Sequence, residues 1–279
     1  MNTSILKKAS LKPLALLAVL PLALTGCVST ANENTDPNGE VSLVKSGTLS
    51  VCTNTPYMPF EYEENGTIVG LDADIANAIA SDLGVKAQLT SISFEGLDSG
   101  TGLATGQCDI ALAGIGVTDE RKSKMEFTTV YFDDNLAILV PKGSSITSAA
   151  DLKGVSVGAQ QATSGETYAK ENGAEVIQYE DTSLMFSALK TGQVKAVAAN
   201  LSVVSEALTN DPNSFKIAYQ DSENTEQIAA AVSSNNKALL TKANATITKL
   251  KENGELDKMK AKWVGATSST SASASSSAS

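Results

Sequence analysis

Nine short apolar runs, each too brief to be a helix by itself, limit what this chain can fold into: residues 49–53, 87–92, 109–114, 136–141, 155–159, 175–179, 195–200, 215–219 and 227–232. Runs of that length bounded by polar turns predict strands. Stretches of helical period lie between them. After Gly70, Leu71, Ile75, Ile79 and Leu83 recur every four residues until Gly84 stops the pattern, and Leu239, Leu240, Ala243, Ile247 and Leu250 draw a second stripe near the end. Strands alternating with amphipathic helices pack as parallel sheets covered on both faces, so the fold class is α/β.

An internal likeness refines this picture. GLATGQCDIALAG (102–114) aligns without gaps with ALKTGQVKAVAAN (188–200) at an offset of 86 residues, sharing Leu, Thr-Gly-Gln and an Ala. A chain of 279 residues has length for two cores, and the likeness suggests two lobes of similar topology. Gly114 and Asn200 would then end equivalent strands, and the carboxyl ends of strands are where open α/β sheets bind ligands.

The termini read differently. MNTSILKKASLKPLALLAVLPLALTGC begins with lysines, continues in an apolar run from Leu14 to Leu24 that is too short to remain as a spanning helix, and reaches Leu24-Thr25-Gly26-Cys27. That tetrad resembles the bacterial lipobox, which implies a signal peptide over residues 1–26 and a lipid on Cys27. Two or three acyl chains would hold the protein to the membrane. Residues 27–42 are polar and turn-rich, as a tether should be, and the Ser/Ala-rich tail at 266–279 has too little apolar surface to fold and is expected to be disordered.

Charge and composition exclude several functions. The full chain carries a net charge of -10, and the leader holds Lys7, Lys8 and Lys12 with no acid, so its removal takes -10 to about -13. Nucleic acid is not an expected partner. There is no histidine, which removes Ser-His-Asp and Cys-His nucleophiles, imidazole metal sites and the commonest general base. No catalytic residue, metal or cofactor is expected, and a monomer is. With Cys27 set aside, Cys52 and Cys108 remain, in a chain bound for an oxidising compartment. They are read either as a disulfide or as two small buried thiols.

The binding chemistry concentrates in GIGVTDER, residues 114–121, which contains the chain's single arginine. Guanidinium presents a rigid fork of donors matched to a carboxylate, which the mobile lysine ammonium does not. Gly114 and Gly116 allow close backbone approach, Thr118 is a helix N-cap, and Arg121 falls at the third helical position. Free N–H groups, the positive helix end and the guanidinium converge there as a receptor for a small anion. Pairing of Arg121 with Asp119, Glu120 or Glu126 is the alternative. A second corner lies at GAQQATSGETY, where Thr163 or Ser164 caps a helix or donates to a ligand. Tyr57 and Phe94, each following a strand, are candidate pocket walls, or core.

Four blocks carry a family resemblance. GTLSVCTNTPYMPFEYEENGTIVGLDADIANAIASDLG, SFEGLDSGTGLATGQCDIALAGIGVTDERKSKMEFT, DLKGVSVGAQQATSGE and NGELDKMKAKWVG closely resemble, in collinear order over about residues 45–265, the extracellular solute-binding proteins of polar amino-acid ABC importers. The resemblance implies the two-lobed type II periplasmic-binding-protein fold, each lobe a mostly parallel sheet flanked by helices, with two crossing hinge strands near 136–141 and 224–230. Lobe 1 would take residues 43–137 and 228–265, and lobe 2 residues 138–227. Arg121, in the family's T-x-x-R position after Thr118, would grip the ligand's α-carboxylate, helped by the Gly114 and Gly116 backbone and by Thr163 and Ser164. Tyr57 and Phe94 would sandwich the ligand side chain. Closure of the lobes on a small amino acid, then delivery to an ABC permease, is the implied function.

Two departures from the family pattern bear on the ligand. Many members place an aspartate for the α-ammonium where this chain has Asn200, and binders of cationic amino acids place one where it has Asn54. An amide accepts a hydrogen bond but supplies no charge, so a neutral polar side chain is expected on the ligand, as in cystine or glutamine. Related members also carry paired cysteines at the positions of Cys52 and Cys108, which favours the bridge. The same fold serves secreted dehydratases, whose chemistry needs an acid in the cleft; Glu166 is the nearest, and the S-x-x-K matches at Ser187/Lys190 and Ser42/Lys45 are loose. A ligand sensor for a membrane receptor is a third reading.

Overall fold

The computed structural model describes residues 41–265. The expected signal peptide, the expected lipidation site at Cys27, most of the expected tether and the 266–279 tail lie outside the described residues.

In chain order the elements begin with β1 (Thr48–Thr53), a hairpin of β2 (Tyr62–Glu64) and β3 (Thr67–Val69), α1 (Leu71–Asp82), β4 (Lys86–Ser91), α2 (Phe94–Asp98), α3 (Thr101–Ala104), β5 (Ile110–Ala111), α4 (Asp119–Lys122), β6 (Glu126–Phe127) and β7 (Phe132–Pro141). A 3-10 turn, Ala149–Leu152, leads to β8 (Ser156–Gln160), α5 (Ser164–Glu171), β9 (Glu175–Tyr179), α6 (Thr182–Thr191), β10 (Ala196–Asn200) and α7 (Leu201–Asn210). The long β11 (Phe215–Ile228), β12 (Ala231–Val232), α8 (Lys237–Glu252) and α9 (Glu255–Trp263) follow.

These strands make two five-stranded sheets, β4-β1-β5-β12-β6 and β11-β7-β10-β8-β9. In each, four strands run in one direction and a single strand, β12 in the first and β7 in the second, runs antiparallel to both its neighbours. The two strands of the 86-residue likeness, β5 and β10, hold the same central position. The chain passes between sheets twice, at residues 128–131 and 229–230.

The helical stripes behave as their period requires. Leu71, Ile75 and Ile79 of α1 and Leu239, Ala243 and Ile247 of α8 are fully buried on one face of the first sheet, while Leu83 and Leu240 pack at its margin. Each buried aliphatic side chain of this size contributes about 1.5–3 kcal/mol. On the opposite face lie Phe94, Leu97, Leu103 and Met125 with Cys52 and Cys108, the two cysteines joined in a disulfide with Cα atoms 5.6 Å apart. It ties β1 to the turn before β5.

Three expectations shift. Residues 136–141 are not the first crossing: they lie inside the second sheet, where Leu139 pairs with Val197, because β7 already starts at Phe132 beside Ile228. The runs at 215–219 and 227–232 divide elsewhere than expected: β11 continues from the first through the polar segment to Ile228, with register shifts after Ile217 and Gln220, and only Ala231 and Val232 form the separate β12. Ladder bonds are made by backbone, and a strand exposed on one side does not need apolar residues to keep them. The run 109–114 keeps its ladder only at Ile110 and Ala111, and the chain turns at Gly114, whose φ of 55° is left-handed.

Candidate functional site

The first-lobe corner is built around Arg121. Thr118 caps α4, its Oγ1 accepting from the Arg121 N–H at 3.1 Å. The Arg121 side chain is 4% exposed and each of its three nitrogens donates a hydrogen bond. Nε donates to Asp98 Oδ1 at 2.8 Å, Nη1 to the Gly116 carbonyl at 2.9 Å and Nη2 to the Ala162 carbonyl of the second lobe at 3.0 Å. The guanidinium carbon lies 5.4 Å from the ring centre of Phe94, the first residue of α2, which adds a cation–π contact. The acids considered as surface partners are taken by lysines: Asp119 by Lys122, Glu120 by Lys124 and Glu126 by Lys237. Asp98 holds the arginine instead.

Beneath this corner the Gly114 N–H donates to Asp72 Oδ2 at 2.7 Å, and the Tyr131 hydroxyl donates to Oδ1 of the same carboxyl at 2.7 Å. Burial pushes the Asp72 carboxyl up to about 7 despite these donors. Glu61, also fully buried, is raised well above the carboxylate range by burial and then by the charge of Asp72. A pair of acids thus underlies the glycine loop.

The second-lobe corner is neutral. Thr163 caps α5: its hydroxyl donates to the Gln160 carbonyl at 2.7 Å and accepts from the Glu166 N–H at 3.4 Å, so capping engages both its bonds. Ser164 is left to face the cleft, where its hydroxyl donates to Glu226. Asn200 ends β10 and stands at the N-cap position of α7 without capping it. Asp134 does so in its place, accepting from Ser202 N and Oγ at 3.4 and 2.5 Å. Asn200 is thereby free to bridge the lobes: Oδ1 accepts from the Tyr57 hydroxyl at 2.6 Å and Nδ2 donates to Glu226 at 2.7 Å. Burial, then the charge of Glu226, raises the Tyr57 hydroxyl well above its ordinary pKa, which keeps it a donor.

Further along the cleft, Asn54 donates to the Ile92 carbonyl at 2.7 Å and accepts from Gln160 Nε2 at 2.7 Å. Gln160 Oε1, buried, has no hydrogen-bond partner among the described residues. Two amides from opposite lobes therefore meet where a side chain would be read, with one acceptor unmet.

Of the ten residues singled out from sequence, Tyr57 and Asn200 meet across the lobes, Asn54 accepts from Gln160, Phe94 lies against Arg121, and Thr118, Arg121 and Ser164 border one cavity. That cavity, of about 880 Å³, is lined also by Asp98, Ala162 and Tyr168 among others. Three participants were missed: Asp98, Gln160 and Glu226. Nothing local marked Asp98 among the acids, whereas Gln160 lay inside the quoted stretch GAQQATSGETY and Glu226 within the expected hinge segment. Glu166 is no free acid. Burial alone would raise its carboxyl, but Lys170, the Ala162 N–H and Gln178 together hold it below the usual range. Among the described residues no cluster of acids or cysteines is placed to hold a metal, and no helix is long and apolar enough to cross a membrane.

Comparison with known proteins agrees with this geometry. The profile of the bacterial extracellular solute-binding proteins, family 3, matches residues 49–266. The arginine-binding extracellular protein ArtP of Bacillus subtilis is 30% identical over 254 residues, covering 90% of this chain and 96% of that protein. The L-cystine-binding protein TcyJ of Escherichia coli is 28% identical over 267 residues, covering 94% and 98%. The structure of an ancestral arginine-binding protein bound to glutamine is 37% identical, with a TM-score of 0.74, over 79% of this chain and 99% of that one. All three are binding proteins by name.

Proposed function

Since the chain belongs to the bacterial extracellular solute-binding proteins, family 3, we propose that it captures an amino acid with a neutral polar side chain, such as cystine or glutamine, by closing its lobes, and presents it to an ABC permease. The observation that carries this reading is Arg121, buried between the lobes with its fork reaching Gly116 on one side and Ala162 on the other. A carboxylate entering at that fork exchanges bonds to neutral carbonyls for a bidentate, charge-assisted pair. The amide pair of Asn54 and Gln160, with an unmet acceptor, supports a side chain that donates hydrogen bonds and carries no charge. Because groups from both lobes take part, the ligand favours the closed state by differential contact.

The remaining roles belong to the same proposal. Gly114 and Gly116 supply backbone contacts, Thr118 and Thr163 set the helix ends, Ser164 and Asn200 contact the ligand headgroup directly or through a neighbour, and Tyr57 and Phe94 wall the side chain. Cys27 carries the lipid that keeps a monomeric protein on the outer face of the membrane.

A thermal-shift screen of the purified protein against the twenty amino acids, L-cystine and dicarboxylates tests the reading. A binder at a thousand times its Kd raises stability by about 4 kcal/mol, and Arg121→Ala is expected to weaken it by about 1,000-fold by calorimetry, as loss of one member of a buried charge pair does. Failure of every amino acid to shift the unfolding curve would discard the amino-acid ligand.

A further inference from the structure

An amino acid brings two charges into the cleft, and Arg121 answers one of them. A buried ammonium without a counter-charge is costly, and Asn200, where the family's aspartate is expected, offers none. The charge is present elsewhere. Glu226 lies on β11, the returning hinge strand, and its carboxylate accepts from Asn200 Nδ2 at 2.7 Å and from the Ser164 hydroxyl. The strand is fastened to the glycine loop by a bridge between Gly116 and Ile228 and by the Val117 N–H donating to the Gln227 carbonyl at 2.7 Å. The Glu226 carboxylate packs directly on Gly116, where a β-carbon would have to displace it.

Glu226 does not pair with Arg121, although both flank Gly116. The guanidinium holds the Gly116 carbonyl while the carboxylate lies against its α-carbon. Opposite charges are thus kept apart on two sides of one residue, the complement of a zwitterion. Asp134 stands directly across from Glu226 in the strand register and is bound to Ser202; a second acid opposite the first favours a cation between the lobes. Asn200 also acquires a reason. An aspartate there would oppose the Glu226 carboxylate at hydrogen-bond distance, whereas the amide donates to it.

Building on the functional reading above, we propose that Glu226 is the group that recognises the ligand's ammonium, with Asn200 and Ser164 as its positioning residues. Charge recognition is moved from the end of β10 to the hinge strand, so ammonium binding acts on the segment that lets the lobes close.

Calorimetry on the purified protein tests this with every amino acid that shifts the wild type, and with L-glutamine and glutaramate, its counterpart lacking the α-ammonium. Glu226→Gln is expected to weaken amino-acid binding by about 100-fold and to leave glutaramate binding unchanged. Asn200→Asp in the Glu226→Gln background is expected to recover most of the loss by returning the carboxylate to β10. Should Glu226→Gln fail to fold by circular dichroism, Glu226→Ala, which also removes the charge, carries the same comparison. Equal losses for glutamine and glutaramate, or amino-acid binding unchanged or tightened in Glu226→Gln, would overturn the assignment and leave Glu226 as a partner of Asn200 and Ser164 only. A wild-type protein that binds no amino acid overturns the functional reading and this assignment together; binding indifferent to Glu226 overturns this assignment alone.

Discussion

The first sheet, β4-β1-β5-β12-β6, and the second, read as β9-β8-β10-β7-β11, place three parallel strands, then one reversed strand, then a strand parallel to the first three, in the same order, yet their cleft corners are furnished differently. At the end of the first, an arginine is clamped by a carboxylate, a carbonyl and an aromatic face. At the end of the second stand Gln160, Thr163, Ser164 and Asn200, all neutral. A preorganised cation costs little further ordering when a ligand arrives, and neutral groups add hydrogen bonds without a large desolvation penalty when the lobe swings in. On the reading proposed here, the first lobe holds the ligand by charge, the second completes its shell, and the hinge between them contributes the opposite charge.

The covalent tie is equally one-sided, since the described disulfide belongs to the first lobe. Replacing Cys52 and Cys108 by Ser is expected to lower unfolding stability by about 3 kcal/mol in guanidinium titrations. Hydrogen exchange should quicken first in β1 and β5 and leave β8 and β10 protected. Equal acceleration in both sheets would show that the lobes unfold as one unit and would end the distinction.

In one respect the lobes are alike, and pH sharpens it. Asp72 in the first and Asp134 in the second each have a carboxyl raised by burial from 3.8 to about 7. Between those values the folded chain binds more protons than the unfolded chain. Their contribution is therefore full below about pH 4 and is lost as pH rises through 7. Urea unfolding at pH 5 and pH 8 should show that loss in the wild type, and Asp72→Asn should reduce it, with Glu61 retaining part of the first lobe's share. A wild type no less stable at pH 8 than at pH 5 would refute it.

The smallest effect separates capping from binding in the second lobe. Thr163→Ala removes the cap of α5 and should cost about 1 kcal/mol of stability. Since the Thr163 hydroxyl is engaged by Gln160 and Glu166, ligand affinity should change less than it does for Ser164→Ala. A larger loss of affinity in Thr163→Ala would return that hydroxyl to the ligand.

Local rules made much of this molecule legible. Apolar runs and four-residue stripes announced the α/β alternation, a Thr cap put Arg121 at the third helical position, and the match between 102–114 and 188–200 identified strands that occupy equivalent places in the two sheets. The hinge was harder to read, because β11 crosses a polar segment that pairs through its backbone.

What the amino-acid sequence determined alone is whatever depends on neighbours within a few residues: period, caps, turns and the family pattern they compose. Only the tertiary structure decided which of the 31 acids face the cleft. Asp98 meets Arg121 from 23 residues away, Gln160 meets Asn54 across 106, and Glu226 meets Asn200 across 26 and Ser164 across 62. Such pairs depend on how two crossings of the chain set one sheet against the other, and no local propensity encodes that distance.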